Sequence, residues 1–257
     1  MTDLIAEAAA QLDRRLNEAY AGSVTLCGVC SVSRDLRRGD MVCSHALRCA
    51  APLKTSPQAL AELLLSRIRL ENSFFETGDA VSGFLNFRFG MDFYRALDTS
   101  CMDLQPHTIQ TALTGLTPPE RPFAFFADAL GMREALPTLS ELRRDGGSPF
   151  YHILYTADRY RRLTVGASSC RRAVPASDSE RSLCLKLAAL PSALARCRET
   201  GALSSLCRYL YALSLSARSF YPMLRRCDND SLTATAQCVR SALSVLTQFF
   251  LPQSPHN

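Results

Sequence analysis

The chain has 257 residues, 47% apolar and 21% charged, which fits a globular protein long enough to bury a real core. Its 29 basic and 24 acidic residues leave a net charge of +5, compatible with a polyanionic partner but too mild to identify one. No apolar run is long enough to span a bilayer, and the first seven residues, Met1 to Glu7, lack the positive start and apolar centre of a secretory signal. The expected location is therefore the cytoplasm, with no membrane partner.

Residues 1–20 are predicted to be a helix, because Leu4, Ile5, Ala8, Leu12 and Leu16 share one face. A short strand is predicted around residues 24–32. Cys27-Gly-Val-Cys30 is a C-x-x-C pair, with Cys43 and His45 downstream. Zinc would want that pair matched by a second at zinc-like spacing, and Cys-Ser-His is poor spacing, so no metal is expected at Cys27 or Cys30. The chain has eleven cysteines. Those on apolar helix positions, such as Cys184, Cys207 and Cys238, read as small buried hydrophobes in a reducing cytosol.

Ser56-Pro57 is a helix start, with Ser as cap and Pro in the first turn; Leu60, Leu63, Leu64 and Ile68 form its stripe. A turn is predicted at Thr77-Gly-Asp79, then a strand over 81–89 of period two. Val81, Gly83, Leu85, Phe87 and Phe89 would point one way, and Ser82, Phe84, Asn86 and Arg88 the other. This first domain is expected to end near residue 98. Residues 99–148, broken by prolines and Gly146-Gly147, read as a connector with one short helix at 123–130. From residue 149 to 257 the pattern is helical. Ser177-x-x-Glu180 is a capping box ahead of the stripe Leu183, Leu187, Leu190, Leu194. Gly201 ends that stretch. Leu203, Leu206, Leu210, Leu213, Ala217 and Phe220 make a second stripe, and Leu232, Ala236, Val239, Leu243, Leu246 and Phe250 a third. The fold class expected is α+β, a small N-terminal α/β domain followed by a C-terminal α-helical bundle.

Two surfaces are candidate binding sites. On the strand, Phe84 offers a flat ring, Asn86 a base-pairing edge and Arg88 a phosphate contact. The competing reading buries Phe84 beneath the helix that follows Pro57. In the bundle, Arg159, Arg161 and Arg162 flank Tyr160, and Arg208, Tyr209, Arg225 and Arg226 add charge and rings. There the competing reading is a solvated basic face with partly buried tyrosines.

These motifs carry a resemblance. Gly39-Asp40, an apolar helix, Lys54-Thr-Ser-Pro57 and Gly83-Phe-Leu-Asn-Phe87 follow the order and spacing of the additional N-terminal domain of arginyl-tRNA synthetases. That family usually has Gly-Pro-Gly before the Phe, where this chain has Val81-Ser-Gly83. Tyr155-Thr-Ala-Asp-Arg159, Leu185 to Pro191 and Arg208-Tyr-Leu-Tyr-Ala-Leu213 with Ser219-Phe-Tyr221 resemble the same enzymes' DALR anticodon-binding domain. Asp158 replaces a His of that pattern, and Ala217-Arg218 a Phe-Asn pair. The resemblance implies tRNA as partner, arginine isoacceptors first. It implies elbow contacts by Phe84 and Asn86, joined by Arg88, and anticodon-arm contacts by the bundle residues.

The family's catalytic motifs, His-x-Gly-His and Lys-Met-Ser-Lys, are absent, and too few residues separate the two regions to hold a catalytic domain. The expectation is a noncatalytic tRNA-binding protein, without cofactor, metal or DNA partner, working with a tRNA-modifying enzyme or a synthetase. Two alternatives stay open: the tRNA-binding part of a split synthetase completed in trans, and a protein-interaction scaffold that no longer binds RNA.

Overall fold

The computed structural model of the chain describes residues 2–22, 24–131, 148–163, 173–224 and 230–251. They fall into two compact units. One holds Asp3–Leu97 together with the described residues up to Arg181; the other holds the described residues of 98–163 and 182–251. The class is α+β, a small antiparallel sheet toward the N-terminus and helices beyond it.

In the first unit, helix α1 (Leu4–Tyr20) is capped by the Asp3 carboxylate, which accepts the Ala6 N–H at 3.0 Å. It buries Leu4, Ala8, Leu12, Leu16 and Ala19. Strands β1 (Cys30–Val32) and β2 (Met41–Cys43) follow, then the short helix α2 (His45–Cys49) and helix α3 (Pro57–Arg67). Ser56 caps α3 as expected, accepting the Ala59 N–H at 3.1 Å. Its buried face is Leu60, Ala61 and Leu64, while Leu63 stays exposed.

The stretch predicted as one strand over 81–89 is a hairpin. Strand β3 (Phe75–Val81) includes the supposed turn Thr77-Gly-Asp79, and strand β4 (Phe84–Phe89) returns beside it with Val81 opposite Phe84. Ser82 (φ 52°) and Gly83 (φ 79°) form the two-residue loop, both left-handed, as hairpins of matching twist require. The sheet order is β1-β2-β4-β3, all antiparallel, so β4 is an inner strand. Leu85, Phe87 and Phe89 point into the core, where Phe89 lies between Phe75 and the stacked ring of Phe93 at 3.6 Å.

A buried ion pair locks β4. Asp40, 1% exposed, accepts the Phe89 N–H at 2.8 Å through Oδ2. Its Oδ1 accepts Nε (3.0 Å) and Nη2 (2.7 Å) of Arg181. The Asp40 N–H donates to the Phe87 carbonyl at 2.8 Å. Gly39 lets the chain come this close, since a Cβ there would stand 3.0 Å from that carbonyl oxygen.

After helix α4 (Met91–Met102), the second unit contains α5 (Pro106–Ala112), α6 (Pro122–Ala129), α7 (Pro149–Arg161), α8 (Asp178–Ala188), α9 (Leu190–Thr200), α10 (Ser204–Leu224) and α11 (Asp230–Phe250), with the first turn of α8 counted in the first unit. Ser177 caps α8 as expected, its Oγ accepting the Glu180 N–H at 3.2 Å. The predicted stripe 183–194 is split in two, because Pro191 supplies no N–H and starts α9 afresh. Gly201 ends α9 at φ 65°. All three apolar stripes are buried, with Phe250 edge to face against Phe126 and Phe150 and those two rings tilted against each other.

Among the cysteines, Cys184, Cys207 and Cys238 are buried thiols outside any disulfide, as read from the sequence, and so are Cys49, Cys101 and Cys197. Cys27 is exposed, and Cys30 is joined to Cys43 in a disulfide. That bond corrects the expectation of plain packing: the antiparallel register sets residues 30 and 43 directly opposite each other.

Two predictions follow from the packing. Asp40→Ala strands the Arg181 cation in the interior and should cost about 3–5 kcal/mol in urea unfolding, the range for breaking one side of a buried pair. A loss within error of an ordinary surface substitution would mean that the pair is solvated. Burial also pushes the Cys207 thiol up to about 12, so at pH 8 roughly one molecule in 10⁴ carries the thiolate there. Peptide-mapped alkylation of the native protein should therefore modify Cys27 long before Cys207.

Candidate nucleic-acid interface

The hairpin tip presents Phe84 and Val81 to solvent, 41% and 39% exposed, side by side in the ladder. The tip is held from below. Gln58, at the start of α3, accepts the Gly83 N–H at 2.9 Å and donates to the Ala80 carbonyl at 3.3 Å. Gly83 is pressed against α3, where a Cβ would meet that of Pro57 at 2.6 Å. The alternative in which Phe84 packs beneath α3 is not what the fold shows. The turn is thus anchored on α3 while the Phe84 ring stays open to solvent.

The rest of the supposed solvated face is covered. Asn86 is 5% exposed, and its amide nitrogen is buried with no hydrogen-bond partner. Residues 33–40, drawn in by Asp40, lie over this face; a Cβ on Gly39 would stand 3.3 Å from that of Asn86. Asn86 is thus set beneath the surface rather than on it. Arg88 is half-buried and donates through Nη2 to the Arg37 carbonyl at 2.7 Å. The same loop displays Arg34, Arg37 and Arg38 in solvent. Arg37 and Arg38 share Asp35, at 3.0 and 3.7 Å. These three arginines were missed in the sequence, although three in five residues is a visible cluster.

In the second unit, α7 and α10 build a ladder of rings and cations. The Arg159 guanidinium lies 3.9 Å from the ring centre of Tyr221 and 5.5 Å from that of Tyr155. Tyr151 stacks on Tyr155 at 6.1 Å, and Tyr155 is 43% exposed. His152, Tyr155, Arg159 and Arg162 recur at three-and-four spacing on one face of α7. Beside them Arg218 donates through Nη1 to His152 Nδ1 at 3.2 Å. Burial, then the Arg218 cation, hold His152 below its ordinary value, so this imidazole is neutral at pH 7.

The other proposed contacts divide. Arg161 and Arg162 are exposed, but both pair with Asp158, at 2.6 and 2.8 Å. The Arg161 hydrogen bond holds the Asp158 carboxyl below the usual range, so the group stays anionic. Tyr160 is fully buried and donates to the Ala217 carbonyl at 2.8 Å. It is a core residue, and its expected place between basic side chains on the surface is corrected. Arg208 is exposed and donates to the Ala129 carbonyl at 2.9 Å. Tyr209 is half-buried, its hydroxyl donating to the Lys186 carbonyl at 2.8 Å. Both stand near the start of α10, about 20 Å along the axis from Tyr221 at ~1.5 Å per residue, and do not join the ladder. Arg225 and Arg226 lie outside the described residues.

Comparison with known proteins agrees with this reading of the parts. Residues 3–89 match the arginyl tRNA synthetase N terminal domain, and residues 160–251 match the DALR anticodon binding domain. No curated protein matches the chain significantly. Among solved structures, the arginyl-tRNA synthetase of Thermus thermophilus aligns at 17% identity with a TM-score of 0.30, over 82% of this chain and 39% of that one. The chain thus spans well under half the length of that enzyme. It is an arginyl-tRNA synthetase-like protein that carries the N-terminal domain and the anticodon-binding domain of that family.

Proposed function

We propose that this protein binds tRNA without aminoacylating it, arginine isoacceptors first, through an elbow contact in the first unit and an anticodon-arm contact in the second. The observation that carries the reading is the presence of both domains in one chain, with only residues 90–159 between the two matches. That interval is interior to the chain. The His-x-Gly-His and Lys-Met-Ser-Lys segments that the resemblance would require for chemistry are absent from the sequence.

The geometry supports two modes of contact. Phe84 would stack on a nucleotide, with Arg88 and the arginines of loop 33–40 near its phosphates. Tyr155, Arg159 and Tyr221 would form a second platform, with Arg162 and Arg218 beside it. Arg208 and Tyr209, on the same domain, are proposed as a separate contact. Joining the two grips in one chain raises the effective concentration of the second once the first has formed. Such a protein would hold a tRNA for a modifying enzyme or a synthetase acting in trans.

A gel shift of the full chain against total tRNA, with sequencing of the bound fraction, tests the proposal. Arginine isoacceptors should be enriched, and affinity should fall steeply with salt. Absence of any shift at low salt would leave the interaction-scaffold reading standing instead. Substitutions map the sites. Phe84→Ala should weaken binding by about 1–3 kcal/mol, the worth of one stacked base, with an unchanged circular dichroism spectrum. Arg159→Ala should weaken it too, whereas Tyr160→Phe should alter stability and leave affinity as it was.

A further inference from the structure

We propose that Cys30, Cys43 and His45 form a zinc site whose availability is governed by the disulfide between the two cysteines. The ligand atoms of these three residues lie within 4.8 Å of one another, inside the first unit. Zinc takes thiolate sulfur at about 2.3 Å and imidazole nitrogen at about 2.0–2.1 Å. Tetrahedral ligands at those lengths stand roughly 3.5–3.8 Å apart, so sub-ångström to ångström side-chain shifts suffice.

The histidine carries the argument. Its Nε2 is 2.8 Å from Asp13 Oδ1, which fixes the ring and places the proton on Nε2. Its Nδ1 is buried and has no hydrogen-bond partner. A buried imidazole nitrogen left unpaired is costly in an ordinary core. It is the arrangement a metal ligand needs, with a carboxylate behind the ring and a lone pair in front. Glycine at position 28 keeps that side of the ring clear, because a Cβ there would stand 2.4 Å from Nδ1.

The cysteines are held in place independently. Cys30 and Cys43 face each other across β1 and β2. Ser44 ties the preceding loop down, its N–H donating to the Val29 carbonyl at 3.1 Å and its Oγ accepting the Val29 N–H at 3.1 Å. Cys30 is half-buried, which leaves a route for an ion. As the disulfide, the pair offers no thiolate. An external dithiol supplies two electrons and two protons and is itself oxidised to a disulfide; Cys30 and Cys43 become thiols. Zinc then displaces those two protons to solvent, and water or another small ligand completes the fourth position.

Cobalt(II) is the probe, because a tetrahedral thiolate site gives it a charge-transfer band and intense visible bands. The reduced full chain should take up one cobalt with that spectrum, and zinc should displace it; the disulfide form should show none. Zinc should also shield Cys30 and Cys43 of the reduced wild-type protein from alkylation, a readout that needs no variant. Cys30→Ser should abolish the charge-transfer band. Asp13→Asn should weaken metal binding about 10–100-fold, as loss of an outer carboxylate does. A reduced protein that gives no tetrahedral spectrum would overturn the site. So would an undiminished spectrum in Cys30→Ser, or alkylation of both thiols at the same rate with and without zinc.

Discussion

One buried carboxylate sets the architecture of the first unit. Asp40 is almost wholly removed from water, which is tolerable only because both oxygens are engaged, one by the Phe89 N–H and one by two donors of Arg181. The consequences spread outward from there. With its own N–H on the Phe87 carbonyl and its carbonyl accepting the Ser33 N–H at 2.8 Å, Asp40 draws residues 33–40 across the second face of β4. That loop buries Asn86 and gives Arg88 a carbonyl to hold. It also carries Arg34, Arg37 and Arg38 to the surface. The Gly39-Asp40 pair, read in the sequence as a family mark, is therefore a structural device that shapes a basic edge.

What was legible in the sequence was what depends on neighbours along the chain. Ser56 with Pro57, Ser177 as a cap, Gly201 and the three apolar stripes beyond residue 182 each state their role within a few residues, and each is found in that role, whereas Leu63 of the α3 stripe is exposed. What failed depended on partners far away. The run 81–89 alternates so cleanly that the turn inside it went unseen; the two left-handed residues, Ser82 and Gly83, are disguised because one of them is not glycine. Asn86 looked exposed by period two, yet Gly39 of the distant loop 33–40 lies against it and takes it out of water. Tyr160 could have been placed correctly, since Ile153, Thr156 and Tyr160 follow the buried three-and-four spacing of α7. The arginine reading of that helix overrode its periodicity. The disulfide needed the β1–β2 register, and no spacing rule supplies a register.

The two candidate surfaces work by different physics. At the hairpin, charge and ring are separate: Phe84 stands on a turn tied to α3, while the loop arginines are exposed, Arg37 bonded to both Asp35 oxygens and Arg38 at 3.7 Å. In the bundle they are fused, the Arg159 guanidinium standing over the Tyr221 ring at 3.9 Å. Asp158, standing where the resembled motif has a histidine, matters most here. By engaging Arg161 and Arg162 it removes much of the free positive field from the end of α7 and leaves a platform of stacked planes. Exposed ion pairs of that kind exchange readily with solvent, so an incoming phosphate can compete for either arginine while the carboxylate keeps the other. Under the proposed reading, a surface built this way would hold strands that offer unstacked bases better than polyanions that offer charge alone. The hairpin and its arginine loop keep ring and charge apart, so under the same reading contact through both would favour a folded RNA with open bases over a uniform duplex.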